Sequence, residues 1–489
     1  MATFYVENFG CRATQADGAA IERQFREQGL ERASEPAKAG IVVLNTCTVT
    51  AAADQDARAA VRRLHRKNPE ARIVVTGCYA QRAPNEIAEL PGVTSVIGNS
   101  HKHRLAEIAM HGLQSSNCAT PRTALDEPIV SDLTGPNPTD LEMRGFIPLA
   151  HLTTGGHGQG SLTRSPIFVS DIFAHTELQA APVFDASNER TRPNLKVQDG
   201  CDNRCSFCVI PYVRGQSRSL PLPQIIREVR SLVSAGYREL VISGINLGRW
   251  GRDLDGIDAH SPAPRFEDLI RTILSETPLQ KLRISSVEPM DWSDELLDLA
   301  ASSPRIAKHA HVPLQSGSDA VLRRMHRKYR PWHYREKIEK IRSAMPTAAI
   351  GADVMTGFPG ETEIEFEETR RLIEELPFTY LHVFTYSARP GTRASTMTGQ
   401  VPVQIARERN RILRDLALQK KLAFMTSFMG KSIDTITLNV AGRDREGEYT
   451  EGLTDNYLPV RLKGNHPANN WVQSQVEGVA DGTLVAVAS

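Results

Sequence analysis

The sequence predicts an α/β protein in three parts: an N-terminal parallel α/β domain, a central partial barrel of six strand–helix units, and a small C-terminal β-barrel. Three observations carry this. Continuous β-branched apolar runs such as IVVLN (41–45) and RIVVTG (72–77) suit parallel strands buried on both faces. From about residue 191 six strand-like runs alternate with amphipathic helical stretches. After about residue 429 the apolar residues alternate at period two.

The elements follow in order. Thr3–Asn8 is a short strand, and a helix is expected from about Asp17 to Gly29, where glycine suits a stop. IVVLN, a helix over about 53–67, RIVVTG and VTSVIG (93–98) complete a domain over 1–112. Residues 113–190 hold SSNCATPRT, LTGPNPTD and HLTTGGHGQGSLTRSP, without a sustained period, and read as an insertion or irregular linker. Within it FIPLA (146–150) and PIFVSDIF (166–173) could form strands or dock locally.

The central part, 191–428, has strands at NLKVQ (194–198), ELVISG (239–244), KLRISS (281–286), HAHVPL (309–314), IGADVMTG (350–357) and YLHVFTY (380–386). Helices are expected over 223–236 and 363–376, the second opened by a Thr362/Glu365 capping box. A helix over 406–428 leads into the strands IDTITLNV, YLPVRL and TLVAVAS of 429–489.

Composition narrows the function classes. The chain has 489 residues, 40% hydrophobic and 24% charged, which suits a globular protein of about three domains. No apolar run reaches the roughly 18 residues of a membrane helix, and the N-terminus MATFYVENFGC has no secretory pattern. A cytoplasmic, monomeric protein is expected. A net charge of +1 leaves nucleic-acid binding to local patches. The basic runs RRLHRK (62–67), RRMHRKYR (323–330) and Arg407–Lys421 could meet phosphates or be solvated, charge-paired faces. Seven cysteines without a secretory signal argue against a disulfide framework.

Three of those cysteines make the sharpest motif. QDGCDNRCSFCVIPY places Cys201, Cys205 and Cys208 in a C-x3-C-x2-C loop directly after a strand. Three thiolates satisfy three irons of a [4Fe–4S] cluster and leave one open for a small molecule. A zinc site would require a fourth Cys or His, and the nearest histidines in sequence, His175 and His260, are remote.

A second set follows three N-terminal strands: Cys11 in NFGCRATQ, Cys47 in NTCTVT and Cys78 in TGCYAQ. The C-terminal ends of neighbouring parallel strands lie together, so these three can converge on a shared metal site, with packing or redox roles as the alternative. In the insertion Cys118, His151 and His157 suggest at most a third metal site, with a solvated loop as the default.

The loop at 201–208, with Phe207 before its last cysteine, resembles the signature of the radical S-adenosylmethionine superfamily. That resemblance implies S-adenosylmethionine on the open iron, with contacts at Phe207, at Gly244 in SGINLG, Glu288 in SSVEP, Gln315 in PLQSG, Asp353 in GADV and the GFPGE turn. These positions fall at strand C-terminal ends, where parallel barrels keep active sites. With FGC, NTC and TGC upstream and EGLTDNYLPV downstream, the whole chain outside 113–190 is similar to the radical S-adenosylmethionine methylthiotransferases. Their C-terminal TRAM barrel is an RNA-binding module, and Tyr457 is its candidate contact here.

The resemblance implies two [4Fe–4S] clusters. The one on Cys201, Cys205 and Cys208 would generate the radical, and the auxiliary one on Cys11, Cys47 and Cys78 would carry the methylated sulfur to C2 of an adenine. It further implies tRNA, at its anticodon region, as partner, an electron donor such as flavodoxin or ferredoxin, and a sulfur source. NTCTVT, VVTGCYAQ, HVPLQSGSD and HVFTYSARPGT most resemble the branch acting on N6-threonylcarbamoyladenosine at position 37. The alternatives are isopentenyladenosine, whose branch more often reads YGCQMN and NTCSIR, and a ribosomal-protein aspartate, whose branch reads LGCPKN and NTCGF. A non-catalytic iron–sulfur or RNA-binding protein is the reading from another class. One departure is Thr14, where the family usually carries Asn.

Overall fold

The computed structural model describes residues 2–114, 165–175, 178, 192–255, 262–444 and 447–489. FIPLA, Cys118, His151 and His157 lie outside the described residues.

The N-terminal sheet is parallel throughout. Thr3–Asn8 lies between Glu31–Arg32 and Ile41–Thr46, followed by Arg72–Gly77, Val93–Ile97 and Ile167–Phe168. All six residues of Ile41–Thr46 are buried, as the continuous apolar run demands. The edge strand Ile167–Phe168 is the PIFVSDIF piece, docked through Val96–Ile97. Glu31–Arg32 has no sequence signal, because two exposed charged residues pair only through backbone.

The first helix runs Arg12–Glu27 and starts five residues before the expected Asp17. Asp17, expected at the helix start, is instead buried mid-helix as an ion-pair partner. Cys11 is the N-cap, so the helix grows directly out of the cysteine loop.

The six central strands are Asn194–Lys196, Glu239–Ser243, Lys281–Ile284, His309–His311, Ala349–Thr356 and Tyr380–Thr385. They form two three-stranded parallel sheets, joined by the bridge Ser286–His311 into a partial barrel. Leu222–Ser234 and Glu363–Glu375 are helices, and the latter has the expected capping box, with Thr362 N–H on Glu365 Oε2 at 2.8 Å. The expected 406–428 helix begins earlier, at Val403, and ends at Thr426.

Five strands, Ser432–Asp444, Gly447–Thr454, Pro459–Lys463, Trp471–Ala480 and Thr483–Ala488, close a small barrel. Its turn at 454–457 is clamped onto the central barrel. Arg283 donates to the Asp455 carbonyl at 3.0 Å, Lys308 N–H to Asp455 Oδ1 at 3.0 Å, and Asn456 Nδ2 to the Thr347 carbonyl at 2.9 Å. Lys308 and Thr347 lie just before the strands His309–His311 and Ala349–Thr356, so the turn packs at the N-terminal ends of these strands. Among the described residues no helix is long and apolar enough to cross a membrane.

Candidate active site

A cavity of about 510 Å³ runs through the central barrel. At the strand C-terminal ends it is lined by Cys201, Cys205 and Cys208, and Cys11 of the N-terminal domain opens onto it too. Phe207, anticipated from the cysteine loop, and Gly244, Glu288, Gln315 and Asp353, anticipated from strand ends, line it as well, although Asp353 lies in the middle of Ala349–Thr356 because that strand runs on to Thr356. At the other end stand His309, Tyr380 and Tyr457.

The 201–208 loop is held by backbone bonds and by glycine. Cys201 N–H donates to the Gly215 carbonyl at 3.1 Å and Cys208 N–H to the Cys205 carbonyl at 3.1 Å. Gly200 has a φ of +72°, and a Cβ there would lie 1.8 Å from the Gln216 carbonyl oxygen. Only glycine enters this loop.

Side chains converge on the sulfurs. Arg327 donates to Cys205 Sγ at 3.2 Å and also pairs with Glu288, while Asn246 Nδ2 lies 3.7 Å from Cys201 Sγ. Sequence reading placed Arg327 in a basic run able to meet phosphate; the structure turns it inward instead, almost fully buried. The Arg407–Lys421 run is charge-paired, with Arg409 on Glu361 and Arg411 on Glu408 and Asp415.

Cys47 and Cys78 are buried behind Cys11. Burial pushes the Cys47 thiol up to about 12, and the nearby Cys78 and Cys11 add to the shift, so the three sit close enough to feel one another. Burial likewise raises Cys208 to about 12 and Cys201 to about 11. Metal-free, these thiols hold their protons, and metal uptake must release them. Asn99 Nδ2 approaches Cys78 Sγ at 3.7 Å, and Thr14 Oγ1 lies 3.6 Å from Cys11 Sγ. The unusual Thr14 is thus a hydroxyl beside a sulfur.

Gly10, at φ +105°, leaves the space that Cys47 occupies: a Cβ there would meet Cys47 Cβ at 2.6 Å. Gly10→Ala is expected to cost about 1–3 kcal/mol of local strain and to lower iron uptake at this set while sparing the 201–208 loop. Iron analysis beside a urea melt checks this, and unchanged iron with unchanged stability would refute it.

The donor sets fit iron–sulfur clusters better than single ions. Among the described residues, only His311, Asp353 and His382 bring ligand atoms close enough together to share one ion. Neither cysteine set does, and a cubane's thiolates sit on different irons and stand farther apart. The lining also carries buried polar atoms without partners: Ser243 Oγ, Asn246 Oδ1 and Gln315 Oε1. Buried polar atoms normally have partners, so these fit a polar cofactor. Asp353 is engaged by His311 Nε2 at 3.2 Å and His382 Nδ1 at 3.3 Å. Burial would raise its carboxyl, but these imidazoles hold it well below the usual carboxylate range.

Beside the two cysteine sets lies a largely buried ion cluster, which no sequence motif announced. Asp17 takes Lys196, Lys102 at 3.0 Å and Arg214 at 3.0 Å; Asp199 takes Lys196 at 2.8 Å and Arg214 at 2.9 Å. Asp199 also accepts Gly200 N–H at 2.8 Å, so the cluster ties the helix after Cys11 to the residue before Cys201.

A six-stranded parallel partial barrel with a three-cysteine loop at its mouth defines a radical S-adenosylmethionine protein, and residues 195–373 match the Radical SAM superfamily. Residues 3–98 match the family described as Uncharacterized protein family UPF0004. The chain is 34% identical to threonylcarbamoyladenosine tRNA methylthiotransferase MtaB of Bacillus subtilis (strain 168), covering 95% of this chain and 91% of that one. The same enzyme of Aquifex aeolicus (strain VF5) is 34% identical over 94% and 96%. A tRNA-2-methylthio-N(6)-dimethylallyladenosine synthase of Erythrobacter litoralis (strain HTCC2594) is 30% identical over 99% and 94%. A solved radical S-adenosylmethionine methyltransferase, TsrM from Kitasatospora setae, shares the fold at TM-score 0.51 and 15% identity, over 78% of this chain and 72% of that one. The chain belongs to the radical S-adenosylmethionine methylthiotransferase family of enzymes.

Proposed function

We propose that this protein adds a methylthio group to C2 of N6-threonylcarbamoyladenosine in the anticodon region of tRNA. The observation that carries it is the single cavity onto which both Cys11 and the 201–208 cysteines open. A base held there can be reached from both cysteine sets without leaving the site, as a reaction with two separate iron centres requires. The similarity to relatives named for this nucleoside supports the substrate.

In this reading Cys201, Cys205 and Cys208 hold one [4Fe–4S] cluster and Cys11, Cys47 and Cys78 the other. When bound, the clusters and S-adenosylmethionine supply the radical that activates C2 and the sulfur that replaces its hydrogen. The chain's own groups do the rest. Arg327 and Asn246 donate to cysteine sulfurs, which stabilises their thiolate form and orients the loop. Ser243, Asn246 and Gln315 offer polar atoms to S-adenosylmethionine, with Phe207, Gly244, Glu288 and Asp353 as further walls of its site. The N-terminal domain and the 454–457 turn pack against the central barrel, through Asn194 on the Arg12 carbonyl and Arg283 on the Asp455 carbonyl, and so hold the walls of the cavity in place around the substrate. The C-terminal barrel contacts the RNA, and electrons and sulfur come from partners such as a flavodoxin or ferredoxin and a sulfur donor.

The test is expression in a host deleted for its own methylthiotransferases, followed by mass spectrometry of tRNA nucleosides. The expected product is 2-methylthio-N6-threonylcarbamoyladenosine. A methylthio mark confined to isopentenyladenosine would overturn the substrate, and no mark on any tRNA nucleoside would overturn the tRNA reading.

A further inference from the structure

Arg12 follows Cys11 and lines the same cavity, where it is half-buried. Its Nη2 donates to the Tyr457 hydroxyl at 3.1 Å, across the seam between the first and last domains. Among the described residues no carboxylate pairs with it, whereas the neighbouring cations are neutralised: Arg283 by Glu239, Arg327 by Glu288, Arg214 by Asp17 and Asp199. A guanidinium held partly out of water without a counter-ion is costly, and its planar fork matches a carboxylate.

The surroundings are closely packed aromatic and imidazole rings. Tyr457 has a left-handed φ of +69° on the clamped 454–457 turn. Its ring packs on His309 at 4.9 Å and under the Arg283 guanidinium at 5.4 Å. Burial, reinforced by Arg283, His311 and Arg12, keeps His309 neutral. The Tyr380 hydroxyl lies between His309 Nε2 at 2.7 Å and His311 Nδ1 at 3.0 Å.

We propose that Arg12, held in place by Tyr457, determines substrate specificity by pairing with a carboxylate on the N6 substituent of the adenosine in the cavity. This rests on the threonylcarbamoyl reading above and goes beyond it by naming the group that is read. A dimethylallyl substituent has nothing to offset the desolvation of Arg12, so the same residue that attracts the acid disfavours the hydrocarbon.

The test uses the reconstituted holoenzyme and anticodon stem-loop RNAs bearing at the target adenosine a threonylcarbamoyl group, its neutral carboxamide, or a dimethylallyl group. Binding is read by fluorescence anisotropy, and KM and kcat by product mass spectrometry. Arg12→Gln is expected to weaken Kd and raise KM for the acid by about 10- to 100-fold, with a smaller change in kcat and little change for the carboxamide. Arg12→Lys should recover part of the loss. Tyr457→Phe should shift the acid in the same direction by less, and it carries the comparison if Arg12→Gln does not fold, as judged by circular dichroism and iron content. Equal losses on acid and carboxamide, or none on either, overturn the inference while a wild-type preference for the acid leaves the substrate reading intact. A wild-type preference for the dimethylallyl RNA overturns both.

Discussion

Replacing Cys201, Cys205 or Cys208 with alanine is expected to abolish 5′-deoxyadenosine formation and methylthio transfer together, whereas replacing Cys11, Cys47 or Cys78 is expected to abolish only the transfer. This asymmetry follows from where the two sets sit. The loop set shares the barrel mouth with the unpartnered polar atoms of Ser243, Asn246 and Gln315, which suit S-adenosylmethionine. The other set reaches the cavity only through Cys11, with Cys47 and Cys78 buried behind it. Full triple-alanine variants of either set should each drop from about eight to about four irons per chain. The surviving cluster should keep its visible absorption band. Anaerobic reconstitution, iron analysis and chromatography of nucleoside products read all three. Deoxyadenosine production that survives loss of the loop cysteines, or vanishes with the N-terminal set alone, would refute the division of labour.

The second large effect concerns stability. Asp17→Asn should destabilise the fold by about 3–5 kcal/mol, because it leaves buried cations without their shared carboxylate. Lys196, Lys102 and Arg214 all converge on that side chain. Removing Arg214 as well should recover part of the loss, since fewer charges then stay buried. The same cluster sets a pH dependence. Burial alone would raise the Asp17 carboxyl, and the three cations more than reverse it, holding it well below the usual range; Asp199 is lowered in the same way. A carboxylate depressed in the folded state stabilises it fully above the unfolded value of about 4. That contribution fades as pH falls below it. Urea midpoints of wild type should therefore drop steeply between about pH 5 and pH 2, and those of Asp17→Asn less so. Parallel profiles for the two proteins would show that Asp17 carries no such coupling.

The location of this cluster also explains what it does for the site. Its members come from the helix after Cys11, from the turn Asn99–Arg104 of the same domain, and from the strands and helix around the 201–208 loop. A shift of that interface would move one cysteine set against the other. A buried ionic contact with several fixed partners has one good geometry, which an apolar interface of the same area would not impose as strictly.

Much of the site was legible beforehand because it is carried by local patterns. The six central strands are apolar runs, and a run of that kind declares itself without its neighbours. The C-x3-C-x2-C loop is contiguous, so its three thiolates had to be close. Cys11, Cys47 and Cys78 were placed together by one rule, that parallel strands align their C-terminal ends. The positions after strand ends, Gly244, Glu288 and Gln315, reached the cavity for the same reason, whereas Asp353 reaches it from inside its strand.

The failures share a cause. Asp17 was read as the start of a helix, and its buried pairing with the distant Lys196 and Arg214 leaves no mark in the local sequence. Arg327 looked like part of a phosphate-binding run, since a one-dimensional count of charges cannot tell an outward arginine from one pointing at Cys205. Arg12 and Tyr457 stand 445 positions apart, and no periodicity links them.

By itself, then, the sequence determined most of the elements, their order, and the two groups of three cysteines, because apolar period and contiguous spacing are local properties of the chain; the strands Glu31–Arg32, Gly447–Thr454 and Trp471–Ala480 escaped it. Only the tertiary structure decided that Cys11 and the 201–208 cysteines open on one cavity, that buried charges tie their segments together, and that Arg12 reaches Tyr457 there with no carboxylate partner among the described residues. Those facts depend on which side chains meet across domain seams, where desolvation makes each charge and each missing partner count.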